Sequence, residues 1–192
     1  MTPVEGIYDF VYRGQLTEEA LDRAGRPHAK LGLLEEDIVL KVSLHLLDDD
    51  FVAQARRMAT VYTAIAAFEN TVRDLVRRVL MDEAGANWWE EKVSSNVRTK
   101  AKKRQEEEAK HRFHTQRGDD PISFVDFGDL LNIMRANEDA FAPFWSGPEW
   151  ARGIFDAVER SRNVIMHSGV LDAEDIERVG MNIRDWIRQV GA

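Results

Sequence analysis

The sequence predicts an all-α protein: a helical bundle preceded by an N-terminal extension over residues 1–50. Three observations support this class. The segment from Phe51 to Met81 has neither Gly nor Pro and repeats apolar residues at helical spacing. Two later segments begin with helix-starting residues, Pro148 and Asp172, and carry apolar residues along one face. The chain has no internal repeat and no Gly/Ser linker, so we expect one bundle over residues 51–192.

Composition excludes several classes of protein. The chain has 192 residues, 34 acidic against 26 basic side chains, a net charge of −8 and no cysteine. Without cysteine it has no disulfide, no thiolate metal site and no cysteine nucleophile. No apolar run approaches the roughly 20 residues of a membrane helix, and the first residues do not resemble a secretion signal. These features predict a soluble cytoplasmic protein that does not insert into a membrane.

The first half of the chain is dominated by one long helix. Before it, Thr17 to Ala24 is predicted as a short helix with Thr17 as N-cap, and Leu33 to Leu47 fits either helix or strand. Asp48–Asp50 provides a cap and first-turn negative charge for the long helix. We expect that helix to run from Phe51 to about Met81 and to end near Gly85.

Four further helices are predicted in the second half. The second long helix starts at Asn87-Trp88-Trp89 and is very polar from Ser94 to Arg112. Gly118–Pro121 breaks the chain before a short helix. The fourth helix has Gly169 as its expected C′ residue. The remaining predicted helices cover Asp129 to Ala136, Pro148 to His167 or Ser168, and a final segment capped by Asp172.

A basic segment interrupts the acidic sequence. Between Arg98 and Arg117 there are eight Lys or Arg residues and three Glu residues. Such a segment is either a local anion-binding surface or the solvated face of a polar helix, and both interpretations stay open. In the first case the RNA-binding candidates are Lys100, Lys102, Lys103 and Arg104.

Common catalytic motifs are absent from the sequence. It has no Gly-rich phosphate loop, no paired-histidine metalloprotease motif, no G-x-S-x-G and no calcium loop. His111 and His114 are three residues apart, like half of a metal site, but no further ligands complete a set. We therefore predict neither a metal site nor a cofactor.

The most informative motif lies near the end of the fourth predicted helix. Arg162 is followed by Asn163 and, five positions after the arginine, by His167. The spacing recurs between Arg23 and His28, where Gly and Pro intervene, so context matters more than spacing. That context includes Glu69-Asn70 and Arg73 in the long helix, Trp88-Trp89, Asp120-Pro121 and Asp126-Phe127-Gly128-Asp129.

Together these motifs resemble the HEPN superfamily. The similar branch occurs at the C-terminus of an endoribonuclease of yeast nuclear mRNA quality control and in many prokaryotic defence proteins. The resemblance covers roughly residues 50–190. It implies a HEPN-like fold and a homodimer with one composite, metal-independent site built from Arg162, Asn163 and His167. It further implies RNA cleavage to a 2′,3′-cyclic phosphate and a 5′-hydroxyl, as in a toxin or a phage-defence or stress effector. Possible partners are an antitoxin or a larger defence complex.

A noncatalytic interpretation stays open. The chain could be a HEPN-type module that binds a protein partner or a nucleotide. In that case His167 is a helix-end histidine whose charge favours the helix dipole, and Arg162 forms a structural ion pair.

Helical geometry supplies one expectation about Arg162 itself. Arg162 and His167 are about 140° apart around the helix and about 7.5 Å apart along its axis, so they do not form a tight pair. Arg162 lies near the apolar line Ile154–Val158–Ile165, so we expect it to be half-buried and to need an anionic partner. Glu69 is the candidate partner, but it can equally pair with Arg73 four residues on.

Overall fold

The computed structural model describes residue 17 and residues 35–111 and 113–191. The chain divides into two compact units, residues 1–52 and 53–192. Every regular element within the described residues is an α-helix or a short 3₁₀-helix, and these residues contain no strand. The all-α class is therefore confirmed for this part of the chain.

The described part of the first unit is helical. Helix α1 spans Glu35–Lys41 and is followed by a 3₁₀ turn at Leu44–Leu46. This settles the helix-or-strand alternative in favour of helix from residue 35 onward. Thr17 itself is helical, but the rest of the helix predicted to Ala24 lies outside the described residues, as does the Arg23–His28 copy of the motif.

The long helix predicted from the apolar periodicity is confirmed. Helix α2 spans Asp49–Ala84, and the Asp48 carboxylate accepts hydrogen bonds from the backbone N–H groups of Asp50 (3.0 Å) and Phe51 (3.3 Å). Gly85, with φ of 64°, follows its last residue. The buried apolar residues of α2 lie along one side and are Met58, Ile65, Phe68, Val72, Leu75, Val76, Val79 and Leu80.

The prediction of a single helix from Asn87 to Arg112 is wrong. The structure has two helices, α3 at Trp88–Lys92 and α4 at Ser95–Ala109. Val93 between them is extended and buried, and the Ser94 hydroxyl accepts a hydrogen bond from the backbone N–H of Val97 at 3.4 Å. Burial of Val93 and the Ser94 cap outweigh the uniformly polar pattern that predicted one continuous helix.

A 3₁₀ segment and two short helices follow. The 3₁₀ turn at Pro121–Phe124 is capped by Asp120 and packs against α4, whose Val97 and Ala101 are buried. Helix α5 spans Phe127–Ala136, beginning two residues before the predicted start, and α6 spans Glu138–Phe141. The earlier start places the Phe127 side chain in the core.

The last two helices follow the sequence prediction closely. Helix α7 spans Pro148–Met166 and α8 spans Ala173–Val190. The Asp172 carboxylate caps α8 by accepting from the backbone N–H of Asp175 at 2.8 Å. Helix α7 packs on α5 and α8 through an aromatic core in which Phe68 of α2 contacts three rings edge-on, those of Phe127, Phe155 and Trp186.

The expected role of Gly169 as C′ residue is wrong by one position. His167 is the C-cap of α7, and the C′ position with φ of 61° is occupied by Ser168. Hydrogen bonds from Ser168 N–H to Ile165 (3.0 Å) and from Gly169 N–H to Val164 (2.8 Å) complete a Schellman motif. Glycine is instead needed at 169 because a Cβ there would lie 2.6 Å from Val164 Cγ1.

Within the described residues, no helix combines the length and apolar character needed to cross a bilayer.

Candidate functional site

Glu69 lies at the centre of a charge cluster between α2 and α7. Its carboxylate is buried and receives Arg73 Nη2 at 3.3 Å on Oε2 and Arg162 Nε at 3.2 Å on Oε1. The sequence left open whether Glu69 pairs with Arg162 or with Arg73, and the structure shows that it pairs with both. The contact to Arg162 is an ion pair without hydrogen-bond alignment, since Oε1 has no aligned donor among the described residues.

Arg162 is half-buried, as its place beside the apolar line predicts. Its side chain is 36% exposed, and its contact with the Glu69 carboxylate is through Nε. The two terminal nitrogens make no hydrogen bond to any residue in the described ranges. The guanidinium is thus held by one edge while its other donors are free to bind an anion.

The second arginine of the cluster connects it to the loop before α5. Arg73 Nη2 also donates to the Val125 carbonyl at 3.3 Å, and its Nη1 donates to the Asn70 side chain at 3.3 Å. The adjacent Phe127 ring stacks on Phe155 of α7 with centroids 4.2 Å apart. The loop and the two helices therefore restrain the geometry around Glu69 together.

Asn163 and His167 are both exposed at the C-terminal end of α7. The backbone N–H of His167 lies 3.2 Å from the Asn163 carbonyl, so the two residues are consecutive along one face. Neither side chain has a hydrogen-bond partner within residues 35–111 and 113–191. The imidazole and the amide are available to a ligand.

Exposed apolar residues lie on both sides of His167 along the chain. Val164 is 40% exposed, Met166 55% and Val170 43%. Exposed apolar side chains of this kind can become buried in an interface between two chains. They flank the exposed face that carries Asn163 and His167.

Of the four predicted RNA-binding residues, Lys102 lies apart from the other three. Lys100 and Arg104 point toward α5 and its preceding loop, where Lys100 Nζ lies 3.1 Å from Asp129 and Arg104 pairs with Asp126. Lys102 lines a separate cleft on the other side of α4, beside Trp89. A helix distributes consecutive residues around its axis, so this basic run cannot present all its charges in one direction.

Lys103 lies with Lys100 and Arg104 in a cleft that the sequence did not predict. The cleft has a volume of about 600 Å³ and is lined by Lys100, Lys103, Arg104, Glu107, Glu108, His111, His114 and Arg117. A hydrogen bond from Lys110 (2.6 Å) and the positive charge of that lysine lower the pKa of the Glu107 carboxyl. The alternation of basic, histidine and aromatic residues after Lys110 is the feature of the sequence that could have indicated this cleft.

His111 and His114 belong to no group of metal-ligand side chains within the described residues. Among the residues placed by the structure, no group of three or more His, Asp or Glu side chains is arranged to bind a metal ion. The α7 site offers Arg162 and Asn163 as donors for an anion and the His167 imidazole for proton transfer. These are the groups that acid–base chemistry on a phosphate requires.

The chain matches no protein-family model, no curated protein and no solved structure. The interpretation of the α7 site therefore depends on its own geometry and on the motifs in the sequence.

Proposed function

We propose that this protein is a metal-independent endoribonuclease of HEPN type that acts as a homodimer. The observation that supports the proposal most strongly is that Arg162 contacts Glu69 while its side chain remains partly exposed. Its Nε contacts Glu69, its terminal nitrogens form no hydrogen bond with a described residue, and it lies five residues before His167, the C-cap of α7. A buried carboxylate that orients an arginine without consuming all its donors suits a phosphate-binding role.

The chemistry assigned to His167 is proton transfer at ribose and phosphate. One imidazole removes the proton of a 2′-hydroxyl, whose oxygen attacks the adjacent phosphorus. The bond from phosphorus to the 5′-oxygen breaks, and a second imidazole protonates that oxygen. The products are a 2′,3′-cyclic phosphate and a 5′-hydroxyl, and no metal is required because the substrate supplies its own nucleophile.

Dimerisation supplies the second imidazole. One copy of α7 carries one His167, one Asn163 and one Arg162, which is too little for both proton transfers. A twofold axis through the apolar residues around His167 would bring two such sets to one cleft. Arg162 then stabilises the charge that develops on the phosphate, and the Asn163 amide donates to phosphate or ribose.

A second candidate function has its own supporting observation. Because Arg162 already has an ion-pair partner in Glu69 of the same chain, it could serve structure alone. The chain would then be a noncatalytic HEPN-type module that binds a protein or a nucleotide. A strict monomer that does not cleave RNA would favour this alternative.

The deciding experiment compares RNA cleavage in EDTA by four forms of the full chain. These are the wild type, His167→Ala, Arg162→Ala and the control Arg152→Ala, an arginine of α7 whose side chain is 50% exposed. We expect cleavage by the wild type and by Arg152→Ala, with ends that carry a 2′,3′-cyclic phosphate and a 5′-hydroxyl. Equal activity in all four forms would contradict the proposal.

The cellular role follows from the same activity. We propose a cytoplasmic toxin or defence effector that is restrained by an antitoxin or a larger complex. Expression of the wild type should slow growth relative to His167→Ala. Equal growth, together with equal protein levels, would favour the noncatalytic alternative.

A further inference from the structure

We propose that the cleft at the C-terminal end of α4 binds single-stranded RNA, with Lys103, His111 and His114 on phosphates and Phe113 stacked against a base. This inference rests on the proposed function, since it states where the substrate of that activity is held. The site is distinct from the α7 residues that are proposed to carry the chemistry.

The cleft has walls that are fixed by ion pairs of this chain. Three of its cations are held by carboxylates, in the pairs Lys100–Asp129, Arg104–Asp126 and Arg117–Glu108. Arg104 also donates to the Phe124 carbonyl at 2.8 Å, and the Arg117 guanidinium lies 5.5 Å from the centroid of the Phe124 ring. These contacts give the cleft a fixed shape.

Three further groups that line the cleft form no ion pair within the part of the chain that the structure describes. These are Lys103 and the imidazoles of His111 and His114, although Lys103 and His111 lie close enough to the Glu107 carboxylate to contribute to the lowering of its pKa. Lys110 neutralises Glu107 at the rim. An approaching phosphate therefore meets one free ammonium and two imidazole donors.

Phe113 lies in a second hollow that shares His111 and His114 with the cleft. Its side chain is fully exposed, and it lines a hollow of about 360 Å³ shared with Lys110, His111 and His114. The backbone N–H of His114 bonds the His111 carbonyl at 2.9 Å, so the chain turns around this phenylalanine. An exposed ring beside phosphate-binding groups is the arrangement with which proteins hold single-stranded bases.

Single-stranded RNA fits these features better than a duplex does. A ring can stack only on a base that is not already stacked within a helix, whereas a duplex would have to be read through its phosphates alone. The net charge of −8 disfavours duplex binding, which depends on the neutralisation of many phosphates.

The first test measures binding without cleavage. The full chain carrying His167→Ala is titrated into a labelled oligouridylate of about 12 nucleotides, and fluorescence anisotropy gives Kd. We expect Phe113→Leu to weaken binding about ten-fold through loss of stacking. The same change at the exposed Phe51 should leave Kd unchanged. A Kd for Phe113→Leu equal to that of the parent would overturn the proposal.

The second test separates the two sides of α4. Lys103→Gln and Lys102→Gln remove the same charge from adjacent residues that line different clefts. We expect Lys103→Gln to reduce the slope of log Kobs against log salt by about 0.7, the value for one phosphate contact on a single strand. Equal effects of the two changes would show unspecific attraction to the helix and would overturn the cleft assignment.

The outcomes distinguish failure of this inference from failure of the proposed function. If wild-type protein cleaves RNA and neither Phe113→Leu nor Lys103→Gln alters binding, the cleft is not the RNA-binding site and the nuclease assignment stands. RNA binding that depends on both residues, without cleavage by the wild type, supports the cleft and overturns the nuclease. Binding to vesicles of phosphatidylserine and phosphatidylcholine that needs Phe113, with no RNA binding, overturns the inference.

Discussion

Glu69 and Arg162 lie on different helices, and the Nε of Arg162 is 3.2 Å from Oε1 of the Glu69 carboxylate. The same carboxylate holds Arg73 of its own helix through its other oxygen. One buried acid thus ties the long helix to the helix that ends at His167. This relationship restrains Arg162 from within the chain, while its side chain stays partly exposed.

Glu69→Gln should destabilise the protein and lower RNA cleavage together. A neutral amide leaves two arginines without their counter-charge, and we expect a loss of about 1–3 kcal/mol in the free energy of unfolding. The expected loss is smaller than for a fully buried pair because Arg162 is partly exposed. Urea unfolding measures it, with Glu106→Gln, at an exposed pair, as a control expected within about 0.5 kcal/mol. An unchanged stability would show that the cluster contributes nothing.

Ser168→Gly should stabilise the protein by about 0.5–1 kcal/mol, because Ser168 adopts a left-handed conformation that costs a residue with a Cβ. For a domain of this size the melting temperature should rise by about 1–4 °C. Thermal unfolding followed by circular dichroism checks this. A lower melting temperature would mean that the serine side chain compensates for its backbone strain.

Gly169→Ala should have the opposite effect. The new Cβ would lie 2.6 Å from Val164 Cγ1 and 2.8 Å from the Val164 carbonyl oxygen, so the chain after α7 must shift. We expect a loss of about 1–3 kcal/mol. Gly153→Ala, an exposed position of the same helix with open space around it, should instead gain up to about 1 kcal/mol. Similar effects at both positions would contradict the steric argument.

Met166→Glu and Val170→Glu should prevent dimerisation and RNA cleavage while leaving the fold intact. Both side chains are exposed beside His167, so a charge there disrupts an interface without disturbing the core. Sedimentation velocity over a range of concentrations measures the dimer. Met181→Glu, on an exposed position of α8, is the matched control. A dimer that survives the first two changes would place the interface elsewhere.

Local sequence patterns were sufficient to predict a helix wherever a segment had a clear apolar periodicity or a clear helix-starting residue. The absence of Gly and Pro together with an apolar row predicted α2 within a few residues, and Pro148 and Asp172 marked the starts of α7 and α8. The requirement of Arg162 for an anion followed from its position on an apolar face. These inferences need only the periodicity of a helix and the cost of an unpaired charge.

Local patterns failed where distant contacts decided the outcome. Nothing near Val93 in the sequence shows that its burial breaks a polar helix in two. The sequence left open whether the basic run on α4 is an anion-binding surface or a solvated helix face, and it did not show that Asp126 and Asp129 pair with two of its members. The left-handed residue after α7 was expected at Gly169, but Ser168 takes it because Gly169 is needed for close approach to Val164.

By itself the sequence determined the helical class, the long central helix and the identity of the charged residues that must find partners. Only the tertiary structure decided that Glu69 serves two arginines, that Lys103 and Lys102 line different clefts, and that His167 is exposed. The physical reason is that the interactions involved act over different separations along the chain. Helix propensity and periodicity act over a few residues, whereas charge pairing and burial join residues far apart in the chain.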